Sequence, residues 1–190
     1  LANILKAGTL PAPTTIVEDV VIGPTLGKVA QQQGIKSILS GLIIVILFMI
    51  FYYARGGFVA NVALFFNIFF ILGILAQLSA SLTLPGIAGI VLTIGMSIDA
   101  NVLIFERIKE ELRNGAILKQ AISRGYNKAY TSIIDANATT LLVGIILYSL
   151  GQGPVKGFAV TLIIGIICSF FSAVFITRVI VEYLSKKGEN

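Results

Sequence analysis

Five nearly uncharged apolar runs follow one another along the chain, and each approaches the roughly 20 residues that a helix needs to cross about 30 Å of hydrocarbon. The runs are 37–54, 57–77, 86–105, 131–150 and 157–177. Only Arg55 and Gly56 separate the first two runs, so a tight hairpin must join them. The pattern predicts an all-α polytopic membrane protein with five transmembrane helices.

Charge and composition agree with this prediction and give the bundle an orientation. Hydrophobic residues make up 56% of the chain and charged residues only 12%, against about 25% in a soluble domain. Ten of the 14 Lys and Arg residues fall at residue 55, within 106–130 and within 178–190, which the positive-inside rule assigns to the cytoplasm. The C-terminus is therefore predicted to be cytoplasmic, in a multi-pass protein of the cytoplasmic membrane. The net charge of +5 then requires no nucleic-acid partner.

The first 35 residues follow a different pattern. Residues 14–22 read TTIVEDVVI, a β-branched run between turn residues, which predicts a short strand. Because one strand cannot form a sheet alone, we expect it to complete an extracytoplasmic domain whose other strands belong to a longer protein. The predicted organisation is the end of that domain and a linker at 1–35, a transmembrane bundle at 36–185 and a cytoplasmic tail at 186–190.

Two aspartates, Asp99 and Asp135, lie inside the third and fourth apolar runs, each in the tripeptide Asp-Ala-Asn. Asp99 is eight residues before Arg107 and Asp135 seven after Lys128, so both carboxylates are expected about 10–12 Å from the inner charged boundary. Ionisable groups at membrane depth are costly and usually functional, and proton relays are one such function. Since the chain has no histidine, carboxylates are its natural intramembrane proton carriers.

Other polar residues accompany the two aspartates in these runs. The predicted proton pathway comprises Asp99, Asn101, Asp135, Asn137, Thr139 and Thr140. Neither run contains a Lys or Arg that would neutralise a carboxylate, so a cationic partner is expected from another subunit or from a missing half of the protein. A purely structural role, in which both aspartates only hydrogen-bond neighbouring helices, remains open.

Small residues recur at every fourth position of the fifth run, which allows a neighbouring helix to approach closely. They are Gly157, Thr161, Gly165, Ser169 and Ala173. Static packing is the default interpretation, and a sliding surface for a conformational cycle is the alternative.

The charged segment 106–130 is predicted as a cytoplasmic loop against the inner membrane surface. Gly115 would divide it into two short helices, supported by the pairs Arg107–Glu111 and Glu110–Arg113.

Soluble-type catalysis is not expected from this sequence. The chain contains no histidine, a single cysteine, no P-loop and no dinucleotide-binding fingerprint. We therefore expect no enzymatic activity, no cofactor and no metal site.

Several long motifs closely resemble the SecD family of protein-export membrane subunits, and the resemblance covers essentially the whole chain. They are GMSIDANVLIFERIKEELRNG at 95–115, DANATT at 135–140 and GQGPVKGFAVTLIIG at 151–165. The resemblance implies a resistance-nodulation-division type bundle of six spans, of which this chain would hold the last five. It also implies a proton-driven complex with SecF that acts with the SecYEG channel on translocating preproteins, alongside the motor SecA.

The resemblance further implies roles for particular residues. The proton-site aspartate of the family falls on Asp99, and Asp135 with Asn137 belongs to the same polar layer. The cationic and acidic partners of that site belong to the SecF half. Two other functions stay open: a proton-driven exporter of small molecules or lipids from the same superfamily, and a scaffold that only stabilises the translocon.

Overall fold

The computed structural model describes residues 24–78 and 83–187, and all regular structure in these ranges is helical. The helices are α1 (Pro24–Tyr53), α2 (Arg55–Gln77), α3 (Leu84–Arg113), α4 (Leu118–Leu150), α5 (Pro154–Phe171) and α6 (Thr177–Lys187), with a π-helical segment at Ser172–Ile176 that joins α5 to α6. The predicted all-α fold is confirmed. The strand predicted at 14–22 lies outside the described residues.

Five helical stretches are long and apolar enough to cross a membrane. They are Val29–Tyr53, Gly56–Gln77, Leu84–Arg113, Leu118–Leu150 and Pro154–Ser185. The fifth stretch combines α5, the π-helical segment and most of α6. The third and fourth stretches, at 30 and 33 residues, exceed the roughly 20 that span hydrocarbon, so their charged ends extend beyond it.

Short turns set the positions of the helices. A single residue, Ala54, reverses the chain between α1 and α2 with a φ of 46°. A side chain at Gly57 would collide with the carbonyl group of Met49, so this hairpin requires glycine there. Thr83 caps α3, because its Oγ1 accepts a hydrogen bond from the backbone N–H of Gly86 at 3.2 Å.

Helix α3 lies at the centre of the bundle and packs most extensively against α5 and then against α4. In the most apolar 18 residues of α3, 56% are buried within the chain, whereas in those of α4 only 11% are buried. The outer side of α4 is therefore open in this chain, although α4 is the longest helix.

The charged segment between the third and fourth runs is helical on both sides of Gly115, but each half continues a spanning helix without a break. The predicted pairs within it were wrong. Arg107 pairs with Glu110 at 2.7 Å, and the buried carboxylate of Glu111 pairs across the hairpin with Lys128 at 2.5 Å. Glu111 lies on the face of α3 that packs against α4, which takes it out of reach of an exposed partner on its own helix.

Candidate functional site

Asp99 lines a groove between α3 and α4. The groove has a volume of about 160 Å³, and its other polar lining residues are Ser132, Asn137 and Thr140 of α4. Asp99 is exposed in this chain. Within the ranges 24–78 and 83–187 its carboxylate forms no ion pair.

The two Asp-Ala-Asn tripeptides contribute opposite residues to this groove. In α3, Asp99 lines it while Asn101 is fully buried elsewhere; in α4, Asn137 lines it while Asp135 is exposed outside it. Residues two apart on a helix differ by about 200° around its axis, so they cannot share a face. The groove thus brings Asp99 to Asn137 and does not bring the two carboxylates together.

Three polar side chains in the middle of α4, those of Asn137, Thr139 and Thr140, donate hydrogen bonds within the helix itself. Asn137 Nδ2 donates to the carbonyl oxygen of Ile133 at 2.7 Å. The hydroxyl of Thr139 donates to the carbonyl oxygen of Asp135 at 2.8 Å, and the hydroxyl of Thr140 donates to the carbonyl oxygen of Ala136 at 3.0 Å. Such bonds use one donor of each side chain locally and leave the side-chain oxygens as acceptors. Thr140 lines the groove, whereas Thr139 lies outside it.

The small residues of the fifth run lie largely along the contact between α5 and α3, which we call the α3–α5 seam. A Cβ added at Gly165 would lie 2.5 Å from the Cβ of Thr93, and a Cβ added at Gly89 would collide with the hydroxyl of Thr161. Ser169 and Ala173 are buried as well. The backbones of α3 and α5 therefore approach closely, and they can do so because glycines face the threonines of the other helix.

Asn101 lies on the buried side of α3, the side that packs against the fifth span. Thr177 Oγ1 donates to Asn101 Oδ1 at 2.7 Å, and Asn101 Nδ2 donates to the carbonyl oxygen of Ser97 at 3.1 Å. At the start of the π-helical segment, Ser172 Oγ donates to the carbonyl oxygen of Ala63 at 2.6 Å. The hydrogen bonds of a π-helix join residues five apart, one more than in an α-helix, so the segment changes the direction in which Thr177 points relative to the residues of α5. Asn101 thus joins α3 to α6 and does not reach the groove.

Several buried polar residues had no role in the sequence analysis. Thr93 and Ser97 are fully buried and share a face of α3 with Asn101, at a spacing of four residues that the sequence displays. Asn67 is fully buried in α2, and neither atom of its amide has a hydrogen-bond partner in the described part of the chain. Asn67 is one of two asparagines inside the otherwise apolar second run, and that amide within an apolar run is the signal that could have singled it out.

Comparison with known proteins gives a consistent family assignment. The profile described as protein export membrane protein SecD/SecF, C-terminal, matches residues 6–187. Protein translocase subunit SecD of Rhodothermus marinus is 58% identical over 184 residues, which cover 97% of this chain and 30% of that protein. The subunit of the same name from Haemophilus influenzae is 55% identical over 185 residues, with 97% and 30% covered. The chain thus spans about three-tenths of the length of these relatives.

A solved structure has the same arrangement of helices. The crystal structure of SecDF from Thermus thermophilus, described as a translocon-associated membrane protein, superposes with a TM-score of 0.85 at 48% identity. The superposition covers 89% of this chain and 24% of that one.

Proposed function

The chain belongs to the SecD/SecF family of protein-export membrane proteins, and on that premise we propose that it is the membrane-spanning part of a SecD subunit that uses the proton motive force to promote preprotein export. The names of its relatives, protein translocase subunit SecD, support this role. The subunit is a transport component rather than an enzyme. It lies in the cytoplasmic membrane with its C-terminus in the cytoplasm, an orientation supported by the distribution of its basic residues.

Asp99 is the proton-binding residue in this proposal, and its place in the α3–α4 groove is the observation that carries it. The side chain is exposed in this chain, lines the mainly apolar groove between α3 and α4, and makes no ion pair in the described ranges. Asn137 and Thr140 supply hydrogen-bonding groups on the opposite wall. These neighbours are neutral, so the charge of the carboxylate is left to be balanced by a proton or by a cation from outside the chain.

The proton acts by changing what Asp99 attracts. A SecF-like half packs on the open side of α4 and presents a cation to the groove, and protonation of Asp99 weakens that attraction. A ligand shifts a conformational equilibrium only through its different affinities for the two states. A tenfold difference in proton affinity between the two states supplies about 1.4 kcal/mol. Useful work therefore requires an affinity difference of several powers of ten, or several protons. The resulting motion is passed to the extracytoplasmic domain and the preprotein at the SecYEG channel.

One observation favours a different function, a scaffold that only stabilises the translocon. At the α3–α5 seam the side chain of Thr93 occupies the space beside Gly165, so the two helices interlock there, which supports static packing. The motor account therefore places the motion at the open side of α4 and moves α3 and α5 as one body. The scaffold account requires no motion at either surface.

Preprotein translocation into membrane vesicles separates these functions. The vesicles carry the full-length complex with wild-type protein or Asp99→Asn, and translocation is measured with and without an imposed proton gradient. Asp135→Asn is the matched control, because it makes the same change in the twin tripeptide outside the groove. We expect the stimulation by the gradient to disappear in Asp99→Asn and to remain in Asp135→Asn. Equal stimulation in both variants would exclude Asp99, and no stimulation in the wild type would favour the scaffold.

A further inference from the structure

A second cleft lies at the charged end of the bundle, between the first turns of α4 and helix α6. Its volume is about 380 Å³, more than twice that of the groove at Asp99. Its polar lining residues are Lys119, Ser123 and Tyr126 from α4 and Arg178, Glu182 and Ser185 from α6. On each helix these residues recur at spacings of three or four, so each helix presents one polar stripe to the cleft. The proton pathway uses none of them.

Tyr126 is the residue that indicates a ligand. Its side chain is 7% exposed, and in the part of the chain that the structure describes its hydroxyl has no hydrogen-bond partner. Buried polar groups in folded proteins almost always have one, so this hydroxyl calls for a further partner, and a molecule bound in the adjoining cleft can supply it. A phenol hydroxyl can donate to an anionic oxygen, which is the stronger kind of hydrogen bond.

The charged side chains of the cleft select an anion. Arg178 lies over the ring of Tyr126, with its guanidinium carbon 5.9 Å from the ring centroid, and its Nε donates to Glu182 at 2.9 Å. That bond leaves the two terminal nitrogens of the guanidinium without a partner in the described ranges. Lys119 adds a second cation, so the lining charges of Lys119, Arg178 and Glu182 sum to about +1. Arginine and lysine with hydroxyl groups are the donors that recognise phosphate.

Exposed apolar side chains adjoin the cleft on α6. Val179 and Tyr183 are one turn apart, both largely exposed, and each follows a polar cleft residue, Arg178 or Glu182, in sequence. A phospholipid matches a polar stripe beside an apolar one. Its phosphate can contact the polar stripe while an acyl chain covers the apolar stripe. An inorganic phosphate ion would use only the polar half.

We propose that this cleft binds the phosphodiester headgroup of an anionic phospholipid. The phosphate accepts hydrogen bonds from Tyr126, Arg178 and Lys119, and the acyl chain lies along Val179 and Tyr183. Such a lipid links the start of α4 to α6 next to the hairpin of α3 and α4. The site is independent of the proton-binding role of Asp99.

Native mass spectrometry of the full-length protein in detergent, titrated with phosphatidylglycerol, tests this site. Lys119→Gln should weaken binding about three- to tenfold, since it removes one partly exposed charge-assisted hydrogen bond. Tyr126→Phe keeps the ring packing and should weaken binding about two- to fivefold. Arg113→Gln is the matched control, because it removes one charge from the same hairpin but does not line the cleft.

A change of the opposite sign sharpens the test. Glu182→Gln removes the acidic group of the cleft and keeps a hydrogen-bond acceptor for Arg178, so it should strengthen phosphatidylglycerol binding. Equal affinities of the wild type, Lys119→Gln and Tyr126→Phe would overturn the proposal. A parallel titration with inorganic phosphate distinguishes the source of the anion. Phosphate binding that depends on Lys119 and Tyr126, without the same dependence for phosphatidylglycerol, would overturn the lipid assignment.

Discussion

The α3–α5 seam and the α3–α4 groove share a helix, yet their polar side chains have opposite surroundings. At the seam, Thr93, Ser97 and Asn101 are fully buried, and Asn101 bonds to Thr177 of the fifth span. At the groove, Asp99 is exposed and unpaired in the described ranges, and α4 leaves most of its apolar surface uncovered. The account assigns a structural role to Asn101, which is buried with a partner on another helix, and a functional role to the exposed Asp99.

The seam should be far more sensitive to added volume than the open faces of the bundle. Gly165→Leu places side-chain atoms where Thr93 already lies, so the helices must separate. We expect a loss of about 3 kcal/mol in the free energy of unfolding in detergent, at the upper end for overpacked cores. Gly95→Leu on α3 is the matched control, since a Cβ at that position meets nothing within 4 Å. Equal losses in the two variants would contradict the close approach at the seam.

The twin asparagines should differ in their contribution to stability. Asn101→Leu removes the bond to Thr177 and leaves a buried hydroxyl with a poorer partner, which should cost about 2 kcal/mol. Asn137→Leu loses only a bond to its own helix at a half-buried position, and we expect about 0.5 kcal/mol or less. Denaturation curves of both variants check this difference. A larger loss for Asn137→Leu would reverse the assignment of the two faces.

A smaller difference is expected within the charged hairpin. Glu111→Gln weakens the ion pair of a buried carboxylate with the half-exposed Lys128, and the expected cost is about 1 kcal/mol. Glu110→Gln breaks a pair in which both side chains are half-exposed, and should change the stability less than Glu111→Gln does. The same unfolding assay compares them. Identical effects would mean that the bond across the hairpin adds nothing to the packing of α3 on α4.

Periodicity and composition were sufficient to predict the five apolar helices, the break at Gly115 and a tight hairpin after the first run, although its turn lies at Ala54 and not after it. Each of these depends on residues that are near one another in sequence, such as Gly57 against Met49. The family resemblance, carried by long motifs in the third to fifth runs, was confirmed by the matching profile and the solved relative.

Contacts between distant segments were the part that the sequence did not predict. Asp99 and Asn101 were grouped as one pathway, although a spacing of two residues places them on opposite faces of a helix. The bond from Asn101 to Thr177 also depends on the π-helical segment, which no residue pattern in the fifth run marks. Glu111 was paired within its own helix because the packing of α4 against it is a tertiary contact.

The central claim is that Asp99 binds a proton within the membrane, and infrared difference spectroscopy of the full-length complex tests it most directly. Membranes that carry the wild type, Asp99→Asn or Asp135→Asn are cycled between acid and neutral pH, and the absorption band of protonated carboxyl groups is compared. The account predicts a titrating band in the wild type and in Asp135→Asn that is missing from Asp99→Asn. An unchanged band in Asp99→Asn would contradict it, because the proton would then bind to another carboxylate.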